Sequence, residues 1–163
     1  MPSYAASGHR DDDRVQDRCM KPLWIAVAAT LLAAAGAILV GKGRAGQEAS
    51  DRIALGRAVY LANCASCHGT KLEGQPDWRS PGTSGRLPAP PHDETGHTWH
   101  HSDRQLLAII TDGTAAVVGG GYESDMPGFR EALTSAEIEA VLDYIKSTWP
   151  QREADYQRRI SNG

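Results

Sequence analysis

The chain has 163 residues, 40% hydrophobic and 23% charged, with a formal net charge of −3 and three cysteines, Cys19, Cys64 and Cys67. That length accommodates one ordinary domain with attachments, and the composition is too apolar for a disordered chain and too poor in cysteine for a disulfide scaffold. Residues 51–150 carry 8 basic and 13 acidic side chains, a local charge of −5, whereas both ends are +1; this acidic balance argues against a nucleic-acid binder.

Residues 1–21 form a short N-terminal segment ahead of an apolar run. From Pro22 to Gly41 twenty residues carry no charge, and a helix of that length spans about 30 Å, the thickness of a bilayer's hydrocarbon. Lys21 on one side and Lys42 and Arg44 on the other bracket the run, which argues against a buried soluble helix. It reads as a transmembrane helix over 22–41 or as a cleaved signal sequence. The long segment before it and the Gly-Lys-Gly-Arg after it favour retention, whereas a start at Met20 would give the shape of a signal peptide. Basic residues flank the run on both sides and do not set its direction. Cys19 follows no small-residue lipobox and reads as an ordinary reduced thiol. Residues 42–50, rich in glycine and polar side chains, are expected to form a flexible linker.

Ser50 or Asp51 is placed to cap a helix running to about Cys64. Residues 64–68 then read Cys-Ala-Ser-Cys-His, the spacing of covalent haem attachment, in which two thiols three residues apart add to the two vinyl groups and the next side chain reaches the iron. A redox dithiol would need an alternating strand and helix pattern around it, and none is present. A structural zinc site needs a second ligand pair; no further cysteine remains, although the later histidines keep a mixed site formally open.

Between Thr70 and His101 lie five prolines and no helical or strand periodicity, a loop far longer than the usual four to six residues or so. Its end carries His92, His97, His100 and His101. These are candidates for a second imidazole on the iron, for a copper or zinc site with Asp93 and Glu94, or for surface histidines that hydrogen-bond the loop or a haem propionate. Trp99 is expected over a haem edge. Ser102 and Gln105 have capping-box spacing ahead of a short helix that stops near Gly113, where Asp112-Gly113 reads as a turn. Thr134 and Glu137 repeat the device before a helix with Ile138, Val141, Leu142, Ile145 and Trp149 on one face, ended by Pro150. Residues 151–163, with Arg152, Arg158 and Arg159, read as a solvated C-terminal tail, with docking as the alternative. Three helices are too few for a dense core, and a covalently held porphyrin would supply one.

Gly56-Arg-Ala-Val-Tyr60, Asn63-Cys64, Met126-Pro127-Gly128-Phe129 and the helix from Leu133 to Pro150 frame the Cys-Ala-Ser-Cys-His motif. Together, over residues 51–150, they resemble a class I c-type cytochrome. The resemblance implies an all-α fold of three to four helices around one covalent haem c, here preceded by one transmembrane helix. It implies haem attachment through Cys64 and Cys67, His68 as proximal iron ligand and Met126 as distal ligand. Met126 stands fifty-eight residues after His68 and is the one methionine other than Met1 and Met20. Gly56, Tyr60 and Tyr144 occupy the places at which the family packs its first helix on its last.

An iron filled on both faces leaves no position for a substrate, so the implied function is electron transfer and not catalysis. The resemblance also implies attachment outside the cytoplasm. The expected protein is therefore a single-pass chain of the cytoplasmic membrane with its cytochrome domain in the periplasm or exterior, carrying single electrons between respiratory redox partners. The charge of −5 on the domain calls for partners with a basic docking patch and for salt-sensitive association; no nucleic acid and no small-molecule substrate is expected. The alternatives are a haem subunit of a larger oxidoreductase, and a copper-handling or haem-sensing module built on the His92–His101 loop.

Overall fold

The computed structural model describes the backbone of residues 12–163, with side chains at 30–32 and from 38 onward. Residues 1–11 of the expected segment at 1–21, the side chains of 12–21 with Cys19 among them, and most side chains of the expected transmembrane helix at 22–41 lie outside the described residues. Every regular element among the described residues is helical: α1 (Asp12–Asn63), α2 (Ala65–His68), a 3-10 turn (Thr98–His100), α3 (Asp103–Asp112), α4 (Thr114–Val118), α5 (Ser135–Ser147) and α6 (Gln151–Asn162).

The chain divides into two units, one ending at Gln47 and one of Glu48–Gly163. In the first, Leu31, Leu32, Ile38, Leu39 and Val40 are exposed along α1. Among the described residues no helix is long and apolar enough to cross a membrane. Residues 42–50, expected as a flexible linker, are helical and belong to α1. Each glycine at 41, 43 and 46 costs a helix about 1 kcal/mol, but no proline interrupts the stretch, and Lys42, Arg44, Ala45, Gln47, Glu48 and Ala49 are all good helix formers. The expected cap at Ser50 or Asp51 is therefore not a helix start.

In the second unit the end of α1 crosses α5 at Gly56, and the core is built from Val59 and Tyr60 of α1, Leu106 of α3, Val141 and Ile145 of α5, and Trp149. The predicted caps form. The Ser102 side chain accepts from the Gln105 amide, and Thr134 and Glu137 make the reciprocal capping box of α5. Past α3, Gly113 turns with φ +85° and the chain enters the short helix α4, which the turn reading of Asp112-Gly113 does not foresee.

The expected solvated tail is the helix α6, which packs on the 3-10 turn. Its inward face is polar, and this is why no apolar stripe announced it. Glu153 and Gln157 are buried. The Gln157 amide donates to the Asp103 carboxylate (2.5 Å) and to the His101 carbonyl (3.3 Å), and Lys146 of α5 donates to both Asp103 oxygens at 2.7 Å. Burial pushes the Asp103 carboxyl upward, but the Lys146 and Gln157 bonds outweigh it and hold it below its usual value. Asp103→Ala, removing the acceptor shared by Lys146 and Gln157, is expected to lower stability by about 1–2 kcal/mol in urea titration, the pair's solvent exposure keeping the effect small. Because the folded carboxyl is the stronger acid, this difference is full above pH ~4 and fades as the pH falls through the folded value.

Candidate functional site

The site begins where α1 ends. Cys64 donates its amide to the Tyr60 carbonyl, and the amides of Cys67 and His68 return to the Cys64 carbonyl at 3.1 and 2.9 Å. One helical turn thus carries Cys64, Cys67 and His68 at positions i, i+3 and i+4, a spacing that puts neighbouring side chains on one face. Gly69 stops the turn with φ +81°. The fully buried Tyr60 donates its hydroxyl to the Gly69 carbonyl (2.9 Å) and, more weakly, to the His68 carbonyl (3.3 Å), closing the end of α2. Burial, then the neighbouring Cys64, pushes the Tyr60 hydroxyl well above its usual range, so it keeps the proton it donates.

Both thiols are free, Cys67 exposed and Cys64 half-buried. Burial, with Cys67 beside it, pushes the Cys64 thiol up to about 11. His68 is buried, and its Nδ1 lies 2.9 Å from the Pro90 carbonyl. A carbonyl only accepts, so Nδ1 carries the hydrogen and Nε2 keeps the lone pair. Burial lowers the affinity of His68 for a second proton, against the opposing pull of the Pro90 bond. The ring is therefore neutral at pH 7, which is the state that ligates a metal. Two free thiols beside an oriented neutral imidazole are a donor set that fits covalent haem c.

Met126 lies on a strap between α4 and α5, half-buried, its amide donating to the Ser124 hydroxyl at 3.1 Å. The strap rests backbone to backbone on the end of α3. A side chain at Gly113 would come 2.8 Å from the Gly128 nitrogen, and one at Gly128 would come 2.6 Å from the Asp112 carbonyl carbon. The amides of Phe129 and Arg130 donate to the carbonyls of Ile110 and Thr111.

The histidine run does not act as one group. His92 is turned inward, its ring stacked on His68 with centroids 4.0 Å apart and planes inclined by 22°. His92 is half-buried, and burial, then His68 and His97, drives its proton affinity well below the usual range. His97 stacks on Trp78 at 5.2 Å and His100 on Trp99 at 3.7 Å. Among the described residues no group of three or more His, Cys, Asp or Glu is placed to hold a metal ion. Trp99, expected over a haem edge, packs between His100 and Tyr156 of α6. Sequence reasoning missed Pro90, Thr98 and the inward turn of His92. The Pro90-Pro91-His92 triplet, a rigid pair of residues ahead of an imidazole, is the one signal that pointed there.

The sequence model of the cytochrome c family matches residues 53–149. The chain is 27% identical over 92 residues to the cbb3-type cytochrome c oxidase subunit FixP of Azorhizobium caulinodans, a stretch covering 56% of this chain and 28% of the relative. It is 28% identical over 96 residues to the cbb3-type cytochrome c oxidase subunit CcoP of an Azospirillum species, covering 59% of this chain and 28% of the relative. The chain thus spans little more than a quarter of either relative's length. No solved structure matches it. With the family model covering more than half of the chain and the thiol and imidazole pattern in place, this protein belongs to the cytochrome c family, all-helical electron carriers with covalently bound haem c.

Proposed function

We propose that residues 48–163 are a monohaem electron-transfer domain in which Cys64 and Cys67 carry the haem and His68 and Met126 are its proximal and distal ligands. The observation that carries the reading is the buried His68 ring, held through Nδ1 by the Pro90 carbonyl within one helical turn of two free thiols. Haem c so held supplies a single electron, exchanged between ferrous and ferric iron. The chain's own residues do the holding. The Pro90 carbonyl strengthens the opposite ring nitrogen as a donor, Tyr60 closes the turn, and the Gly113–Gly128 contact anchors the strap that bears Met126.

The test of the distal ligand is Met126→Ala. The intact protein is expected to refuse carbon monoxide and imidazole, and the variant to bind both, read as a change of the absorption spectrum on titration. Ligand binding by the intact protein at an affinity Met126→Ala leaves unaltered would support the haem-sensing alternative instead.

The relatives are named as subunits of cbb3-type oxidases, which favours a domain passing electrons toward a terminal oxidase as part of a larger assembly over a freely diffusing carrier. The twenty uncharged residues Pro22–Gly41 and the exposed apolar side chains at 31, 32 and 38–40 support a membrane anchor that keeps the domain at the periplasmic or outer face, near such a partner. The −5 charge of residues 51–150 supports docking on a basic patch. Electron transfer to a cbb3-type oxidase is expected to slow several-fold between low and physiological ionic strength in stopped-flow mixing, as a steered encounter does.

A further inference from the structure

We propose that His92 is a positioning residue for His68: it covers one face of the His68 imidazole and so fixes the ring's rotation about its bond to the haem iron. The inference rests on His68 being the proximal ligand. The two rings lie face to face at 4.0 Å, inclined by 22°, while the Pro90 carbonyl holds the Nδ1 edge of His68 at 2.9 Å. Edge and face are therefore held by residues two apart on one strap. A flat ring in contact across a face turns only by driving an edge into its neighbour, which a close-packed interior resists.

His92 is itself tied on three sides. Its amide donates to the Leu72 carbonyl at 2.8 Å, and its carbonyl accepts from the Trp149 indole at 2.7 Å. Its Nδ1 lies 2.8 Å from the Thr98 hydroxyl, which donates onward to the Pro91 carbonyl at 3.4 Å. With the hydroxyl hydrogen directed at Pro91, the Thr98 oxygen accepts from the Nδ1–H of His92, and this fixes the plane of the covering ring. The turn that returns Thr98 over Pro91 passes Gly96, where a side chain would run into the Pro91 carbonyl and come 2.7 Å from its carbon. The Pro90–Thr98 segment thus acts as a clamp whose inner surface is the His92 ring.

The rotation of an axial imidazole selects the porphyrin nitrogens over which its plane lies, and hence which haem methyls carry most unpaired spin in the ferric state. The experiment uses the full-length haem-loaded chain and compares His92→Asn, which keeps a donor toward Thr98 but offers no ring face, with His92→Phe, which keeps the face and loses the donor. The readouts are the proton resonances of the haem methyls and the ratio of reduced to oxidised protein at one ambient potential. His92→Asn is expected to reorder the methyl shifts and to move the ratio by about threefold, within the range a lost ring–ring contact allows; His92→Phe is expected to keep the order of the intact protein. Asn and Phe variants that match each other, or an Asn variant that matches the intact protein, would overturn the inference. Should His92→Asn fail to take up haem, His92→Gln, which likewise offers no ring face to His68, carries the same expectation of reordered shifts and is refuted by an unchanged order. His68→Ala separates the two levels. If it leaves the low-spin spectrum intact, the proximal-ligand reading falls and this inference with it; if it abolishes that spectrum while His92→Asn is silent, only the role of His92 falls.

Discussion

Cys64→Ser combined with Cys67→Ser is expected to leave a chain without haem staining after denaturing electrophoresis, while Cys19→Ser stains as strongly as the intact protein. Both thiols are free and sit three residues apart on one helical turn, so each has a separate vinyl group within the same porphyrin edge to meet. Either single variant retains one sulfur and is expected to stain, with a reduced-state spectrum of its pyridine complex shifted toward that of a haem with one remaining vinyl. The double variant has no sulfur left in residues 48–163 that forms a thioether, since the remaining sulfur there is the Met126 thioether itself. A stained band from the double variant would falsify attachment at this motif and with it the whole placement of the site.

The second large effect falls on a residue with no chemistry. Gly56→Ala puts a methyl group where the end of α1 meets α5, about 2.5 Å from the Ala140 carbonyl carbon and 2.9 Å from the Tyr144 Cβ, with the Ala140 oxygen closer still. The obstacles are mostly backbone, which a side-chain rotation does not move, so the two helices have to separate. The Tyr60–Tyr144 ring contact, 5.5 Å between centroids, opens with them. Overpacking of this kind costs about 1–3 kcal/mol and more where backbone is the obstacle, against a total stability of roughly 5–15 kcal/mol for a domain. Gly56→Ala is therefore expected to lower the urea midpoint sharply, and Gly56→Val to prevent folding. Gly46→Ala is the control: no atom lies within 4 Å of its added methyl, and it is expected to be neutral or to stabilise α1 by up to about 1 kcal/mol. Equal midpoints for Gly56→Ala and Gly46→Ala would show that the crossing is looser than the contact implies.

Much of this was legible before any coordinates. The caps at Ser102 and Thr134 form because a hydroxyl followed three residues later by Gln or Glu satisfies helix amides locally, whatever the rest of the chain does. The Cys64–His68 turn is equally local, and Gly69 ends it with a backbone angle that glycine adopts freely. Two segments that look irregular in the sequence are helical, for opposite reasons. Residues 42–50 look like a linker because glycine is frequent there, yet helix propensity is a sum over a window and the intervening residues carry it. Residues 151–163 look solvated because they are polar, yet Gln157 and Glu153 are buried, the Gln157 amide donating to Asp103, His101 and Ser161 and Glu153 pairing with Arg152, a pattern that hydropathy does not register.

The motif of two thiols and an imidazole, the single candidate thioether in the domain and the starts of α3 and α5 were determined by the sequence alone, because each depends on residues within a few positions of one another or on a plain inventory of residue types. Only the tertiary structure decided that the Pro90 carbonyl takes the His68 hydrogen, that His92 lies flat against that ring, and that α6 closes over Asp103. These pairings join residues 22, 24 and 54 positions apart, and contacts at such separations are chosen by how the whole chain packs, not by the residues next to them.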